Sequence, residues 1–334
     1  MEHNDQDNQL VFSLISGYNS YIVPTSQYDK PFYGTHEPSH AMVRLVPVYQ
    51  NSNSSSNEMI EKYRQIILWP MPQMEFEWPV DIVEVPSQEH GVLCLVYPQL
   101  GFPKMESMRS LLYQPIAGEI LDWRRPRIQR LCINFMKRMD HLDRSGYLYR
   151  CFDINQIYFD EKSNIFFGFS PELTSKEWDQ TIQVKKLPME FTLPEIYGEH
   201  FNGKYPIYGD NYSAAAILFR MMIGRLPYEG SGLMAFGTVF DPDWDTDPGA
   251  HEDYFRHYVQ FPHFIFDEKD QSNPLGVRTS DNGPRERWNT LPEDIRDMFR
   301  QVLGQETAEG KMRDEFCYTP AKWIEALHRC FEGE

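Results

Sequence analysis

The chain has 334 residues, 41% hydrophobic and 14% aromatic, which is apolar material for a sizeable core and excludes disorder over most of its length. At ~100 to 200 residues per domain, that length implies two lobes or two domains. The formal charge of -17, from 32 Lys and Arg against 49 Asp and Glu, argues against nucleic acid and anionic membranes as partners, since both select for basic patches.

The five cysteines (Cys94, Cys132, Cys151, Cys317 and Cys330) form no CxxC pair. An odd, scattered set suits a reducing compartment better than a disulfide framework and offers no zinc site. The N-terminal MEHNDQDNQL is polar and acidic, unlike a signal peptide, and no apolar run approaches the ~20 residues that span a bilayer. A cytoplasmic protein is the expectation.

In chain order, residues 10–97 read as mostly strand, with runs at 10–15, 41–48, 80–85 and 91–97 bounded by Pro, Gly and Ser clusters. A low-complexity connector at 51–57 precedes one helix over about 58–68. From about residue 103 the periodicity turns helical. Ile128, Leu131, Cys132, Phe135, Met139 and Leu142 fall at three- and four-residue steps and line one face of a long helix.

Residues 157–170 predict a short hairpin whose turn is 160–164. A further helix has Asp210 as its N-cap, Ala214 to Met222 as its body and Gly224 as its left-handed stop. Thr290-Leu291-Pro292-Glu293 reads as a capping box opening another helix, and Thr319-Pro320 opens the last. Residues 228–289 are rich in Pro, Asp and Gly, so long ordered loops are expected there, around one helix at about 251–258. The acidic run 241–247 lacks the Gly and the terminal Glu of a calcium loop, and no metal site is expected. The pattern is an α+β arrangement: a small β-rich lobe with one helix over residues 1–100, then a larger, mainly α-helical lobe over 101–334.

Several motifs in one order resemble those of the eukaryotic-type protein kinases, over roughly residues 40 to 331. Ala41-Met42-Val43-Arg44 resembles the V-A-I-K strand, and Tyr149-Arg150-Cys151-Phe152-Asp153-Ile154-Asn155-Gln156 lies where the family reads H-R-D-x-x-x-x-N. Gly168-Phe169-Ser170 lies where it reads D-F-G, and Thr192-Leu193-Pro194-Glu195 resembles the A-P-E element. The block from Gly209-Asp210-Asn211-Tyr212-Ser213 to Gly224-Arg225-Leu226-Pro227-Tyr228 is the most specific match, because it sets an acid, an amphipathic helix and a Gly-x-x-Pro stop at fixed offsets. The resemblance implies the two-lobed kinase fold.

It also implies lost chemistry, at Arg44, Cys151, Gln156 and Gly168. Cys151 replaces the base that accepts the substrate proton, a role worth ~10²- to 10⁴-fold. Gly168 has no side chain to hold magnesium, and Gln156 offers only an amide oxygen on a longer arm. Arg44 replaces the phosphate-binding Lys, with Glu58 or Glu61 on the following helix as its partner. Gly17 and Gly34 are isolated, so no Gly-rich phosphate loop is present. The retained parts are structural: Asp210 braces the catalytic loop, Tyr149 and Phe169 contribute rings to an apolar column, Arg150 and Pro194 keep their motif positions, and Glu195 anchors a loop for which Arg313 would have to supply the partner.

The leading expectation is a pseudokinase that binds or regulates a protein partner and needs no cofactor. Two alternatives stay open: residual phosphoryl or nucleotidyl transfer with ATP and magnesium, using Asp153 as a substitute acid, and a metal-independent nucleotide sensor.

Overall fold

The computed structural model describes residues 8–24, 31–48, 56–68, 75–86, 91–98, 105–150, 152–168, 170, 172–178, 181–182, 189–198, 201–231, 262–304 and 317–332, apart from 114–120. The chain divides into two compact units, Met1–Lys104 and Met105–Glu334. No helix among the described residues is long and apolar enough to cross a membrane.

The first unit is built on one antiparallel sheet. Its strands are β1 (Asn8–Phe12), β2 (Ser20–Pro24), β3 (Phe32–His36), β4 (Ala41–Pro47), β5 (Asp81–Val85) and β6 (Val92–Pro98), in the order β1-β2-β3-β4-β6-β5. The sheet then closes on itself. Ser13 bridges to Val83, and the Leu14 N–H donates to the Ile82 carbonyl at 2.9 Å, which brings the end of β1 back to β5. Alternate side chains point inward, so Val11, Tyr21, Val23, Val43, Leu45, Val83, Val85, Cys94 and Val96 form the core.

Asp81 pins this closure. Only 2% exposed, its carboxylate accepts from the Ser13 hydroxyl at 2.6 Å, the Tyr21 hydroxyl at 2.8 Å and the Ile82 amide at 2.8 Å. Helix α1 (Ser56–Leu68) buries Met59, Tyr63 and Ile66, a stripe at four- and three-residue steps, and the Trp78 indole donates to the Ile66 carbonyl in its last turn.

β2 and β3 were not expected from the sequence, and for β3 Gly34 explains why. Glycine reads as a strand breaker, yet a Cβ at Gly34 would lie 2.9 Å from the Ile22 carbonyl oxygen and 2.9 Å from Leu45 Cδ1. Inside this closed sheet the position has room only for hydrogen.

The second unit opens with β7 (Glu106–Ser107) and α2 (Met108–Tyr113), followed by α3 (Pro126–Arg144), which buries its predicted face. Four short strands follow: β8 (Tyr147–Leu148), β9 (Ile157–Phe159), β10 (Ile165–Phe167) and β11 (Thr174–Ser175). β9 and β10 form a hairpin turned by Asp160, whose carboxylate accepts from the amides of Lys162 and Asn164. α4 (Gly209–Ile223) is buried over nearly its whole length and stops at Gly224, in the left-handed region at φ 78°. α5 (Thr279–Thr290), α6 (Glu293–Leu303) and α7 (Pro320–Glu332) complete the unit.

Three expectations need correction. Asp210 is not the N-cap of α4; Tyr208 holds that place, and the Asp210 carboxylate is turned to other amides. Thr290 does not cap α6, because its hydroxyl returns to the Glu286 and Arg287 carbonyls at the end of α5. Residues 279–289, part of the 228–289 stretch expected as loop, are helical: they have little apolar periodicity and carry Pro284, so the helix rests on burying Asp281, Pro284 and Trp288. The expected helix at 251–258 and the acidic run 241–247 lie outside the described residues.

Candidate functional site

In the first unit, Arg44 lies on the outward face of β4, opposite Tyr33 of β3 and Tyr97 of β6. Its guanidinium forms an ion pair with Glu77 and stands 5.6 Å from the Tyr97 ring centroid. This corrects the expected pairing with Glu58 or Glu61. Both belong to α1, where Glu61 meets Arg64 of its own helix at 3.5 Å, whereas Glu77 reaches Arg44 from the stretch just ahead of β5. Residues 25–30, which join β2 to β3, lie outside the described residues.

In the second unit, residues 147–150 carry the candidate loop, and Asp210 holds it. Its carboxylate, 4% exposed, accepts the Tyr149 N–H at 2.5 Å, the Arg150 N–H at 3.0 Å and the Tyr205 hydroxyl at 3.0 Å. Burial pushes the Asp210 carboxyl up to about 6, against the pull of these donors and of the Arg150 charge. The two amide bonds have a conformational role as well. Arg150 sits at φ 61°, a left-handed backbone that costs an L-residue roughly 1–2 kcal/mol, and the carboxylate below it offsets that cost.

The Arg150 side chain is buried and turned to the segment beyond β10. Its Nε donates to the Glu172 carbonyl at 2.6 Å, its Nη1 to the Thr181 carbonyl at 3.4 Å, and the Glu172 carboxylate lies 3.8 Å away. Tyr149 is equally enclosed. Phe152 and Phe167 meet its ring edge-on at 5.3 and 5.1 Å, and Phe135 continues the column against Phe167 at 5.9 Å. Cys151 and Phe169 lie outside the described residues.

Gln156 and Gly168 come together at the open end of the β9–β10 hairpin. The Gly168 N–H donates to the Gln156 carbonyl at 2.6 Å. A Cβ at Gly168 would fall 2.8 Å from that same oxygen, closer than real side chains come, and 3.0 Å from Gln156 Oε1, a tight contact. The amide oxygen of Gln156 therefore fills the space beside Gly168. Asp153 is engaged locally, its carboxylate accepting from the Asn155 amide at 2.9 Å and the Asn155 side chain at 2.8 Å. No group of three or more His, Cys, Asp or Glu suited to a metal ion occurs among the described residues.

Pro194 and Glu195 open a turn of 3₁₀ helix (Pro194–Tyr197) in which Pro194 is buried and Glu195 exposed. Arg313 lies outside the described residues. A buried ion network in the second unit went unread in the sequence. Glu229, 4% exposed, receives Arg225 at 3.1 Å and Arg220 at 3.6 Å, and Arg225 reaches on to Asp281 at 2.5 Å. The four-residue step from Arg225 to Glu229 was its only local signal; Asp281 is far away in sequence.

The parts follow one another in the order that the resemblance led one to expect: an Arg on a sheet strand ahead of a helix, a loop braced by an acid on a buried helix, a hairpin, and a segment returning to that loop. A solved structure of ROP2 from Toxoplasma gondii, described as a virulence factor with a protein-kinase fold and no enzymatic activity, is similar to this chain with a TM-score of 0.50. The match covers 96% of this chain and 85% of that one at 12% identity. The chain has a protein-kinase-like fold. At that identity the likeness extends to fold alone. No family model and no curated protein matches the sequence.

Proposed function

We propose that this chain is a catalytically inactive protein-kinase-like module, a pseudokinase, that works by binding a protein partner in a scaffolding or regulatory role. The observation that carries the reading is the contact between Gly168 and Gln156. Where the family holds magnesium with a carboxylate, this chain has no side chain, and a neighbouring amide takes the space. Asp153, the substitute acid weighed from the sequence, is engaged by Asn155. ROP2 is described as pairing a protein-kinase fold with no enzymatic activity, so the combination has a precedent.

The test is a phosphate-transfer assay with radiolabelled ATP, magnesium or manganese, and a generic protein substrate. No turnover above a blank is expected. Turnover that disappears on Asp153→Ala would replace this reading with residual catalysis through the substitute acid.

A further inference from the structure

Several of the described residues that follow β10 are joined to the loop 146–150 by hydrogen bonds. Gly168 gives its N–H to Gln156 and its carbonyl to the Tyr149 hydroxyl, at 2.6 and 2.9 Å. Two residues on, the Ser170 hydroxyl donates back to the Tyr149 carbonyl at 2.6 Å. Tyr149 thus uses its phenol and its carbonyl on the same three-residue stretch, while its own N–H is held by Asp210.

Arg150 then takes the Glu172 and Thr181 carbonyls. β11 pairs with β8, setting Thr174 against Leu148 and Ser175 against Tyr147. The Lys176 N–H donates to the Gly146 carbonyl at 2.8 Å, and its ammonium meets the Asp143 carboxylate at 2.6 Å. Thr181 bridges to Lys204, and the Ile182 N–H donates to the Gly203 carbonyl at 3.1 Å. The Tyr149 bonds are buried and those of Arg150 and Lys176 part-buried, where an unmade hydrogen bond is expensive, so none of these opens cheaply alone.

We infer that the loop 146–150 latches the described parts of residues 168–182 in one conformation, with Tyr149 and Arg150 as positioning residues, so that the segment's shape is set by the chain itself and not by a nucleotide or a covalent modification. The latch rests on the pseudokinase reading only for its consequence: a partner would meet this segment already formed, and binding would be constitutive. Among the described residues, the two cations beside this segment, Arg150 and Lys176, already have partners inside the protein. The Arg150 guanidinium is 2% exposed and bonded to main-chain carbonyls, leaving no open face for an incoming anion.

Hydrogen exchange read by mass spectrometry on the full chain tests this. Peptides covering 165–182 are expected to exchange at least ~100-fold more slowly than an unstructured chain, and to change less than about twofold with millimolar ATP plus magnesium or manganese. Tyr149→Phe removes one buried bond and should speed exchange there about five- to tenfold, while peptides from α4 stay unchanged. Should Tyr149→Phe fail to fold, Ser170→Ala takes its place, since it deletes only the hydroxyl bonded to Tyr149. Exchange near the unstructured rate in the wild type, or a nucleotide-dependent change above about threefold confined to 165–182, would overturn the latch. Phosphoryl transfer by a chain whose segment stays protected would sink the proposed function and leave the latch standing, so the two fail separately.

Discussion

Gly168 packs so closely against Gln156 that any side chain at 168 would press on the Gln156 backbone carbonyl, 2.8 Å from the Cβ position. The nearest atom belongs to the main chain and cannot rotate away. Gly168→Ala should therefore cost about 1–3 kcal/mol, as overpacking does. Adding Gln156→Ala should recover little of that, because only the contact at 3.0 Å is to the side chain. Gly168→Asp should lower stability in the same way and give no magnesium binding by titration calorimetry. Stability unchanged in Gly168→Asp, together with measurable metal binding, would show that the position was merely vacant.

Arg44 and Glu77 should behave as a coupled pair. Both are partly buried, with side chains 25% and 14% exposed, so the interaction is screened less than a surface pair yet not fully desolvated. Arg44→Met and Glu77→Gln should each cost about 1 kcal/mol, and the double variant less than the two together. The same cycle between Arg44 and Glu61 should give no coupling. A coupling to Glu61 that exceeds the one to Glu77 would restore the arrangement expected from the sequence.

Glu229 holds two guanidiniums that are themselves mostly buried, Arg220 at 9% and Arg225 at 14% side-chain exposure. Arg220 also donates to the Leu112 and Gly224 carbonyls, at 2.9 and 2.8 Å, so it cannot swing out to water without losing them. Removing that charge leaves Arg220 uncompensated, while Arg225 keeps Asp281, and Glu229→Gln should destabilise the second unit by about 2–4 kcal/mol in urea unfolding. Arg225→Met should cost less, since Glu229 keeps Arg220. Equal losses, or none, would show that the network is not the anchor its burial implies.

What was legible in the sequence follows from how local each signal is. The stripe from Ile128 to Leu142 is complete within α3, and the 160–164 turn carries its own acid, so both read directly. Asp210 was read as a loop brace by resemblance and as a helix cap by local pattern. The tertiary role won, because two amides of a strained loop outbid a helix end that Tyr208 already begins. Glu77 went unread because its partner lies across the sheet, 33 residues away. The closure of the first sheet went unread for a like reason, since it depends on Ser13 meeting Val83 and on Asp81 gathering donors from the far end of the unit. Such pairings leave no periodicity to read.

The Asp210 carboxyl also predicts a pH dependence, and its sign is fixed by proton counting. An ordinary Asp side chain has a value of 3.8; burial raises that of the folded chain to about 6. Between those values the folded state holds a proton that the unfolded state has released, so the contribution is complete below 3.8 and is lost as pH rises through 6. Relative to Asp210→Asn, which cannot titrate, the wild type should lose about 2–3 kcal/mol of unfolding free energy between pH 3.5 and 6.5. Carboxyl-detected NMR of the folded protein should give Asp210 a midpoint near 6. A midpoint below 4, with a stability difference that rises with pH, would mean that the amides of Tyr149 and Arg150 overcome burial and hold the group ionised throughout.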